Sequence, residues 1–288
     1  MDITPRVSFL NFFRKFFKIP YLERQLAKRT LGKSTLQLWG KFAPSAYLYP
    51  SGSYRMVHRN GLELKVDISD YIGHYLYFGF HDDTIEALFS LCNPGSYVID
   101  IGANIGWTLL NLGKLSQYGR VVGFEPDGYN YEACSENLRL NSLENVTLVQ
   151  IGLGAQASRV MMEVRTPSNR GGNRISPVNG YGSTEVNIKR LDDVEEISAW
   201  PRVDLIKIDV EGYELNVLMG AEGILLREKP VLFIEIDDNN LRDQRHSAEM
   251  LLQFLRKTGY RNMIHATTNE LITEGFDFKG CHFDIIAR

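Results

Sequence analysis

The fold of this chain is decided by the stretch VIDIGANIG, residues 98–106. An apolar strand carrying one acid, Asp100, runs into two glycines, Gly102 and Gly106, and then directly into a helical pattern. Glycines remove side chains where a ligand must approach the backbone, and the following helix begins with free N–H groups. We therefore expect a ligand site at the carboxyl end of this strand.

Strand and helix patterns alternate outward from this stretch. Strand patterns cover 97–101, 121–124, 146–151, 203–208, 231–236, 260–264 and 282–286, and the helix patterns among them cover 107–115, 129–140, 213–226 and 248–258. This alternation predicts an α/β fold, a mostly parallel seven-stranded sheet with helices on both faces. An insertion at 155–190 carries a polar, glycine-rich loop, 168–174, which is either a substrate-side flap or a hairpin tip.

Composition excludes several classes of protein. The 288 residues are 44% hydrophobic and 23% charged, with a net charge of −3, so the chain is globular and has no general attraction to nucleic acid. No apolar run is long enough to span a bilayer, and no signal peptide pattern is present. Three cysteines without CxxC spacing indicate buried thiols rather than a disulfide framework or a zinc site. We expect a cytoplasmic protein.

The amino-terminal segment differs from the rest. Residues 1–33 hold eight bases and two acids, and phenylalanines recur at helical spacing among the bases at 9–18. One interpretation is an amphipathic helix, ending before Pro20, that makes peripheral contact with an anionic membrane. The other is a helix packed on its own domain or on a second subunit of a homo-oligomer. We predict three regions: a basic aromatic extension at 1–40, a cap segment at 41–95 and the ligand-binding domain at 96–288.

The residues around the turn indicate the ligand. A dinucleotide fingerprint requires glycines where this chain has Asn104 and Trp107, which counts against a pyrophosphate. Asp100 suits an ammonium group, and Glu125, at the end of the next strand, can accept hydrogen bonds from both ribose hydroxyls. Together with Gly102, Asn104 and Gly106, these acids predict a nucleoside joined to an amino acid, which is S-adenosylmethionine.

Four motifs resemble the FkbM family of S-adenosylmethionine-dependent methyltransferases. They are DIGANIG at 100–106, GFEP at 123–126, NL with a following Asn at 137–141, and KIDVEGYE at 207–214 followed by Gly-Ala at 220–221. The resemblance covers about 80–288 and implies the Rossmann-like class I methyltransferase fold, with one antiparallel strand in the sheet. It also implies O-methylation, commonly of sugars or polyketide-type hydroxyls.

The KIDVEGYE segment supplies the candidate catalytic residues. Lys207 and Asp209 point to one face of a strand, and Glu211 begins the turn into a helix. Asp209 or Glu211 would take the proton from the acceptor hydroxyl, while Lys207 would hold the acid or bind the substrate oxygen. The alternative is a purely structural ion pair of Lys207 with Asp209 or Glu235, because buried charges are costly unless paired.

Two further sets of residues are candidates for a metal site or for the catalytic base. Asp209, Asp237 and Asp238 could bind magnesium, but an acidic loop with a helix cap is the favoured interpretation, and we expect no metal. His74 and His81, in an aromatic stretch, are the alternative bases, although packed core residues are the commoner case.

The sequence therefore predicts an S-adenosylmethionine-dependent O-methyltransferase acting on a sugar, a glycolipid or polysaccharide, or a secondary metabolite. The partner would be a small-molecule or glycan acceptor and not a nucleic acid. A nicotinamide-dependent oxidoreductase and a non-catalytic membrane-peripheral module are the alternatives.

Overall fold

The computed structural model describes residues 11–164, 169–176 and 183–288. The chain divides into two compact units, Met1–Asp82 with Thr166–Gly171, and Asp83–Arg165 with Gly172–Arg288. The helix Asp83–Ser90, which the sequence analysis placed in the cap segment, belongs to the second unit. Its Leu88 is fully buried in the same apolar cluster as Val98 and Leu109.

The first unit is built from short helices and one hairpin. Residues 11–14 are α-helical and Lys15–Lys18 form a 3₁₀ turn, so this helix ends before Pro20 as predicted. There follow α1 (Pro20–Thr30), α2 (Leu38–Phe42), a 3₁₀ turn (Ala46–Leu48), the antiparallel strands β1 (Tyr54–Arg59) and β2 (Leu62–Asp67), and α3 (Tyr71–Phe78). The predicted contribution of residues 9 and 10 lies outside the described residues.

Helix α3 was not predicted, because its run of aromatic residues gave no clear periodicity. Its ends carry local signals nevertheless. The Asp70 side chain accepts a hydrogen bond from the Ile72 N–H at 3.1 Å, and Gly79 ends the helix in the left-handed conformation at φ +63°.

The second unit contains the predicted seven-stranded sheet. In chain order its elements are α4 (Asp83–Ser90), β3 (Tyr97–Ile101), α5 (Trp107–Leu115), β4 (Arg120–Phe124), α6 (Gly128–Asn141), β5 (Val146–Val149), β6 (Gly152–Leu153), β7 (Ser158–Glu163), a 3₁₀ turn (Arg170–Gly172), β8 (Arg174–Ser176), β9 (Thr184–Lys189), a 3₁₀ turn (Leu191–Asp193), α7 (Glu195–Ser198), β10 (Leu205–Ile208), α8 (Glu214–Gly220), α9 (Glu222–Glu228), β11 (Val231–Asp237), α10 (Asp238–Asp243), α11 (Ala248–Lys257), β12 (Met263–His265) and β13 (His282–Ala287).

The strand order across the large sheet is β12, β13, β11, β10, β3, β4, β5. Only β13 runs antiparallel to its neighbours, β11 and β12, among the described strands of this sheet. The order reverses between β3 and β10, which is where open α/β sheets bind their ligands. This arrangement confirms the predicted class I methyltransferase fold.

The insertion after β5 forms a second, four-stranded sheet in the order β6, β9, β7, β8. The sequence analysis left this insertion as a flap or a hairpin tip and did not predict a sheet. Residues 165–168, which include the first residue of its polar loop, lie outside the described residues, as do residues 177–182.

Side chains alternate between the two faces of the large sheet. Ile99, Ile101 and Ile206 pack into the larger apolar cluster, whereas Val98 and Leu205 pack into the smaller cluster on the other face with α5. Since Asp100 and Lys207 share the alternation of Val98 and Leu205, both charges point to that second face. The described residues include no helix with the length and hydropathy needed to cross a membrane.

Candidate active site at the carboxyl edge of the sheet

The loop between β3 and α5 is held by its own hydrogen bonds. The N–H groups of Gly102 and Ala103 both donate to the Phe124 carbonyl at 3.0 Å, and the Asn104 N–H donates to Glu125 Oε2 at 2.8 Å. The two remaining N–H groups of the loop, at residues 105 and 106, also have partners within the loop. A phosphate would need such groups free, so the geometry agrees with the sequence in disfavouring a pyrophosphate.

The two glycines of the loop serve the fold directly. Gly102 has φ +83°, and a Cβ there would lie 2.0 Å from the Asp209 carbonyl oxygen. Gly106 has φ +95°, and its Cβ would lie 2.8 Å from Cys134 Sγ. We expected the missing side chains to make room for a ligand. The structure shows that their absence lets the end of β10 and helix α6 approach the loop, and contact of the glycines with a ligand stays a prediction.

Glu125 fits the ribose of S-adenosylmethionine. Its two carboxylate oxygens each accept one backbone hydrogen bond, from Asn104 at 2.8 Å and from Asp127 at 2.9 Å. Each oxygen keeps acceptor capacity, because a carboxylate can take about four hydrogen bonds. Burial raises the pKa of Glu125 to about 7 although the two amides lower it. Two hydroxyl donors would supply the stabilisation that the ionised group lacks.

Asp100 occupies a different environment from the one predicted. It is fully buried, Thr108 Oγ1 donates to its Oδ2 at 2.6 Å, and Lys207 Nζ lies 3.3 Å from its Oδ1. The cation that faces Asp100 is therefore a lysine of the same chain rather than a ligand ammonium group. The observed partner of Asp100 is Lys207, and a direct contact of Asp100 with the cofactor stays a prediction.

Lys207 connects the cofactor loop to the candidate base. Only 4% of the residue is exposed, and its ammonium group donates to the Gly102 carbonyl at 2.8 Å. The same Nζ lies 3.5 Å from Asp209 Oδ2. Burial alone would lower the pKa of Lys207, but the charges of Asp100 and Asp209 outweigh it and raise the pKa. The buried ammonium group thus bridges the loop and Asp209, and binding of a substrate oxygen by Lys207 stays a prediction.

Asp209 is the accessible member of this chain of contacts. Its side chain is 43% exposed, whereas that of Lys207 beside it is 5% exposed. The Asp209 N–H donates to the Ile101 carbonyl at 3.1 Å and so extends the pairing of β10 with β3 beyond the strand end. The ion pair that we weighed as a structural alternative is present, but its acid remains open to solvent.

Glu211 stands in a strained turn. Its φ of +55° is unusual for a residue with a side chain, and its Oε2 accepts a hydrogen bond from Asn240 Nδ2 at 2.8 Å. Burial, followed by the nearby charges of Glu235 and Asp209, raises the pKa of Glu211 to about 8. At neutral pH this carboxyl group is therefore mostly protonated.

Glu214 holds the same turn from the start of α8. Its Oε1 accepts hydrogen bonds from the Val210 N–H at 3.2 Å and the Gly212 N–H at 2.9 Å. Gly212 has φ +100°, and a Cβ there would meet the Asn240 carbonyl oxygen at 2.4 Å. This acid was quoted in the motif without a role, and the structure shows that it shapes the backbone on which Glu211 sits.

The sequence analysis assigned no residue of β13 to the candidate site. Glu235 on β11 pairs in register with Asp284 on β13, so two acids lie opposite each other. His282 Nε2 lies 3.3 Å from Glu235 Oε1, and this contact raises the pKa of His282 to about 10. Burial, with the charges of Asp209 and Glu235, raises the pKa of Asp284 to about 8. A single acid within the apolar strand HFDIIA was the available signal.

Of the three acids considered for magnesium, Asp209 lies in a group of carboxylates that could bind a metal, whereas Asp237 and Asp238 have other partners. Asp237 caps α10, accepting from the Asn239 N–H at 2.9 Å, and Asp238 accepts from Arg242 Nε at 2.6 Å. Asp237 therefore has the capping role that the sequence analysis favoured, whereas Asp238 forms an ion pair with Arg242. Carboxylate oxygens that lie within 4.8 Å of one another belong to another set, Asp209, Glu211 and Glu235.

The two histidines lie in the first unit. His74 Nε2 is 2.6 Å from the Pro44 carbonyl oxygen, and its ring packs on Phe78 with centroids 4.7 Å apart. Burial lowers the pKa of His74 to about 4, which describes a neutral packed residue. His81 is exposed. Neither arrangement resembles that of a poised base.

Comparison with known proteins identifies the family. The model of the methyltransferase FkbM domain matches residues 100–262, which is more than half of the chain and includes Asp100, Glu125, Lys207, Asp209 and Glu211. Methyltransferase sdnD of Sordaria araneosa is 29% identical over 161 residues, covering 45% of this chain and 61% of that protein.

Two other curated relatives have more specific names. Hexuronic acid methyltransferase AglP of Haloferax volcanii is 27% identical over 143 residues, covering 50% of this chain and 57% of that protein. The 2-O-methyltransferase NoeI of Sinorhizobium fredii is 25% identical over 180 residues, covering 56% and 72%. The chain thus spans about three fifths of the length of sdnD and AglP. From the matched domain and the strand order, the chain belongs to the FkbM family of S-adenosylmethionine-dependent methyltransferases.

Proposed function

We propose that the protein transfers a methyl group from S-adenosylmethionine to a hydroxyl of a sugar, a glycolipid or polysaccharide, or a secondary metabolite. One observation carries the proposal: Lys207 Nζ touches both the Gly102 carbonyl of the cofactor loop and the half-exposed Asp209. A carboxylate open to solvent is thereby held beside the loop that receives the methyl donor. The names of two relatives, a 2-O-methyltransferase and a hexuronic acid methyltransferase, support the acceptor class.

For this reaction the protein must position the acceptor hydroxyl and provide a group that accepts its proton. When bound, S-adenosylmethionine supplies an already activated methyl group on its sulfonium. Asp209 would accept the proton that the acceptor hydroxyl loses on methylation. Lys207 keeps Asp209 oriented, and Asp100 with Thr108 keeps Lys207 in place. Glu211 is mostly protonated at neutral pH and can hydrogen-bond the acceptor rather than deprotonate it.

A substitution experiment separates the two acids. Asp209→Asn should lower kcat by about 100-fold or more, because general-base catalysis contributes about 10² to 10⁴ in rate. The affinity for S-adenosylmethionine and the Tm should change little, since the side chain is half exposed. Glu274→Gln, an exposed acid of the same unit, is the control and should behave as wild type.

The pH profile decides between the candidates. If Asp209 is the base, the rise of activity with pH does not depend on Glu211, and Glu211→Gln keeps it. If Glu211 is the base, wild-type activity rises up to about pH 8 and Glu211→Gln loses that rise together with turnover. Full activity in Asp209→Asn would contradict the assignment of Asp209.

The acceptor is tested with labelled methyl donor. Neutral sugars, uronic acids, oligosaccharides and hydroxylated small metabolites form the panel, and the product is then treated with alkali. An ether linkage survives this treatment and supports O-methylation of a hydroxyl. A label released by alkali would mean a methyl ester and would overturn the hydroxyl as the site of transfer.

A further inference from the structure

The helical segment at residues 11–18 is oriented opposite to an ordinary surface helix. Three of its polar side chains bind its own unit: Asn11 Nδ2 donates to the Tyr47 hydroxyl at 2.7 Å, and Arg14 Nε donates to the Lys41 carbonyl at 2.9 Å. Lys18 Nζ donates to the Leu48 carbonyl. A helix that only packs on its own domain turns its apolar face inward, so this arrangement needs another explanation.

The apolar side chains of this segment face solvent. Phe12 is 61% exposed, Phe16 is 53% exposed and Ile19 is 52% exposed, at the spacing of one helical face. The rings of Phe12 and Phe16 contact each other edge to face at 5.8 Å. Phe17 packs on the unit, against Phe42 at 5.7 Å. The packing interpretation thus accounts for Phe17, whereas Phe12, Phe16 and Ile19 each keep more than half of their surface exposed.

The charges around these rings have one sign. Residues 11–50 contain eight bases and a single acid, Glu23. Glu23 is buried at 1% exposure and is neutralised by Arg55, whose Nε lies 2.7 Å from its Oε1. Residues 11–50 therefore present no exposed carboxylate, while Lys15, Arg24 and Lys28 are exposed.

We propose that the aromatic-basic surface formed by Phe12, Lys15, Phe16 and Ile19 binds the surface of an anionic lipid bilayer. Phenyl rings enter the boundary between headgroups and acyl chains, and the bases add attraction to anionic lipids. A second copy of the chain fits less well, because a two-fold interface sets a patch against itself and here would oppose like charges. Exposed Tyr21 and Tyr47 in the same segment suit the interfacial zone.

The test is sedimentation of the full chain with vesicles. Vesicles of phosphatidylcholine and phosphatidylglycerol in a 7:3 ratio should bind the protein, and vesicles of phosphatidylcholine alone should bind it at least fivefold less. Raising the salt should weaken binding to the anionic vesicles, because screening reduces the contribution of the bases. Phe12→Ser/Phe16→Ser should reduce the affinity for anionic vesicles at least tenfold.

Matched controls come from the second unit. Tyr118→Ser/Leu226→Ser removes two exposed apolar side chains and should leave vesicle binding unchanged. Lys15→Glu should weaken binding about fivefold or more, whereas Lys279→Glu, the same charge change at an exposed lysine of the second unit, should have less effect. The Tm of each variant should stay near that of wild type because the altered side chains are exposed.

Several outcomes would overturn the proposal. One is absence of binding to anionic vesicles by the folded wild type. Another is equal loss of binding in both double variants. Light scattering provides a third: a wild-type dimer that Phe12→Ser/Phe16→Ser converts to a monomer would assign the surface to a second copy.

Discussion

At the residue scale, Glu125 couples cofactor binding to pH. Its pKa in the free protein is raised to about 7 by burial, and ribose hydroxyls that donate to the ionised form would lower it. Binding then releases a proton, so the affinity for S-adenosylmethionine falls as pH drops below about 7, by at most tenfold per pH unit. Calorimetry between pH 5.5 and 8.5 measures this dependence.

The control for Glu125 is the variant Glu125→Gln. It cannot release a proton from this position, so its weaker binding should lose the part of the pH dependence that belongs to the carboxyl group. A wild-type curve that matches the curve of the variant in shape would place the ribose elsewhere.

Gly102, in the loop between β3 and α5, packs closely against Asp209, the residue that follows β10. In Gly102→Ala the new Cβ would lie 2.0 Å from the Asp209 carbonyl, in a backbone conformation with φ +83°. We expect a loss of about 2 to 4 kcal/mol in the free energy of unfolding, from the left-handed conformation and the overpacking together. Denaturant titration checks this.

Gly95→Ala is the matched glycine control. A Cβ at Gly95 meets no heavy atom within 4 Å, so this variant should unfold like wild type. Equal stability of the two variants would mean that the strand end yields easily and that the loop tolerates side chains.

At the element scale, α8 begins with an acid whose burial opposes ionisation. Burial, followed by the charge of Glu235, raises the pKa of Glu214 to about 8. A raised pKa means that the folded state favours the protonated group, so its contribution to stability is complete below the ordinary glutamate pKa and is lost as pH rises to about 8. In Glu214→Gln the Tm should therefore fall less between pH 5 and pH 8.5 than in wild type.

The next helix provides the comparison for Glu214. Glu222 opens α9 as Glu214 opens α8, but its side chain is 41% exposed and lies 3.7 Å from Lys257 Nζ. Glu222→Gln should keep the wild-type pH dependence of the Tm. Identical curves for Glu214→Gln and wild type would show that Glu214 is ionised throughout.

At the scale of the whole molecule, the excess of bases and the candidate active site belong to different units. The bases concentrate in residues 11–50, while the candidate cofactor and catalytic residues all belong to the unit that starts at Asp83. Removing the aromatic rings of the first unit should therefore leave cofactor binding by the second unit unchanged. Phe12→Ser/Phe16→Ser should bind S-adenosylmethionine within about twofold of wild type, and a larger change would assign these rings to the methyltransferase fold.

The sequence by itself determined most of the sheet and its ligand edge. The predicted bounds of β3 and α5 agree with the structure to the residue, because buried strands and helices are encoded in the periodicity of neighbouring residues. The sequence pattern also located the acid of β4, Glu125. It did not predict the break between α8 and α9 near Gly220. A Cβ added at Gly220 would lie 2.1 Å from the Gly154 carbonyl oxygen of the insertion, which is distant in sequence.

Only the tertiary structure decided which charges meet. Asp100 and Lys207 are paired across adjacent strands although they are 107 positions apart, and Glu235 meets Asp284 only because β13 runs antiparallel to β11. These partners depend on strand register, which no local pattern records. The orientation of the helix at residues 11–18 is a further case, because its spacing predicts an apolar face and only packing shows that this face is turned to solvent.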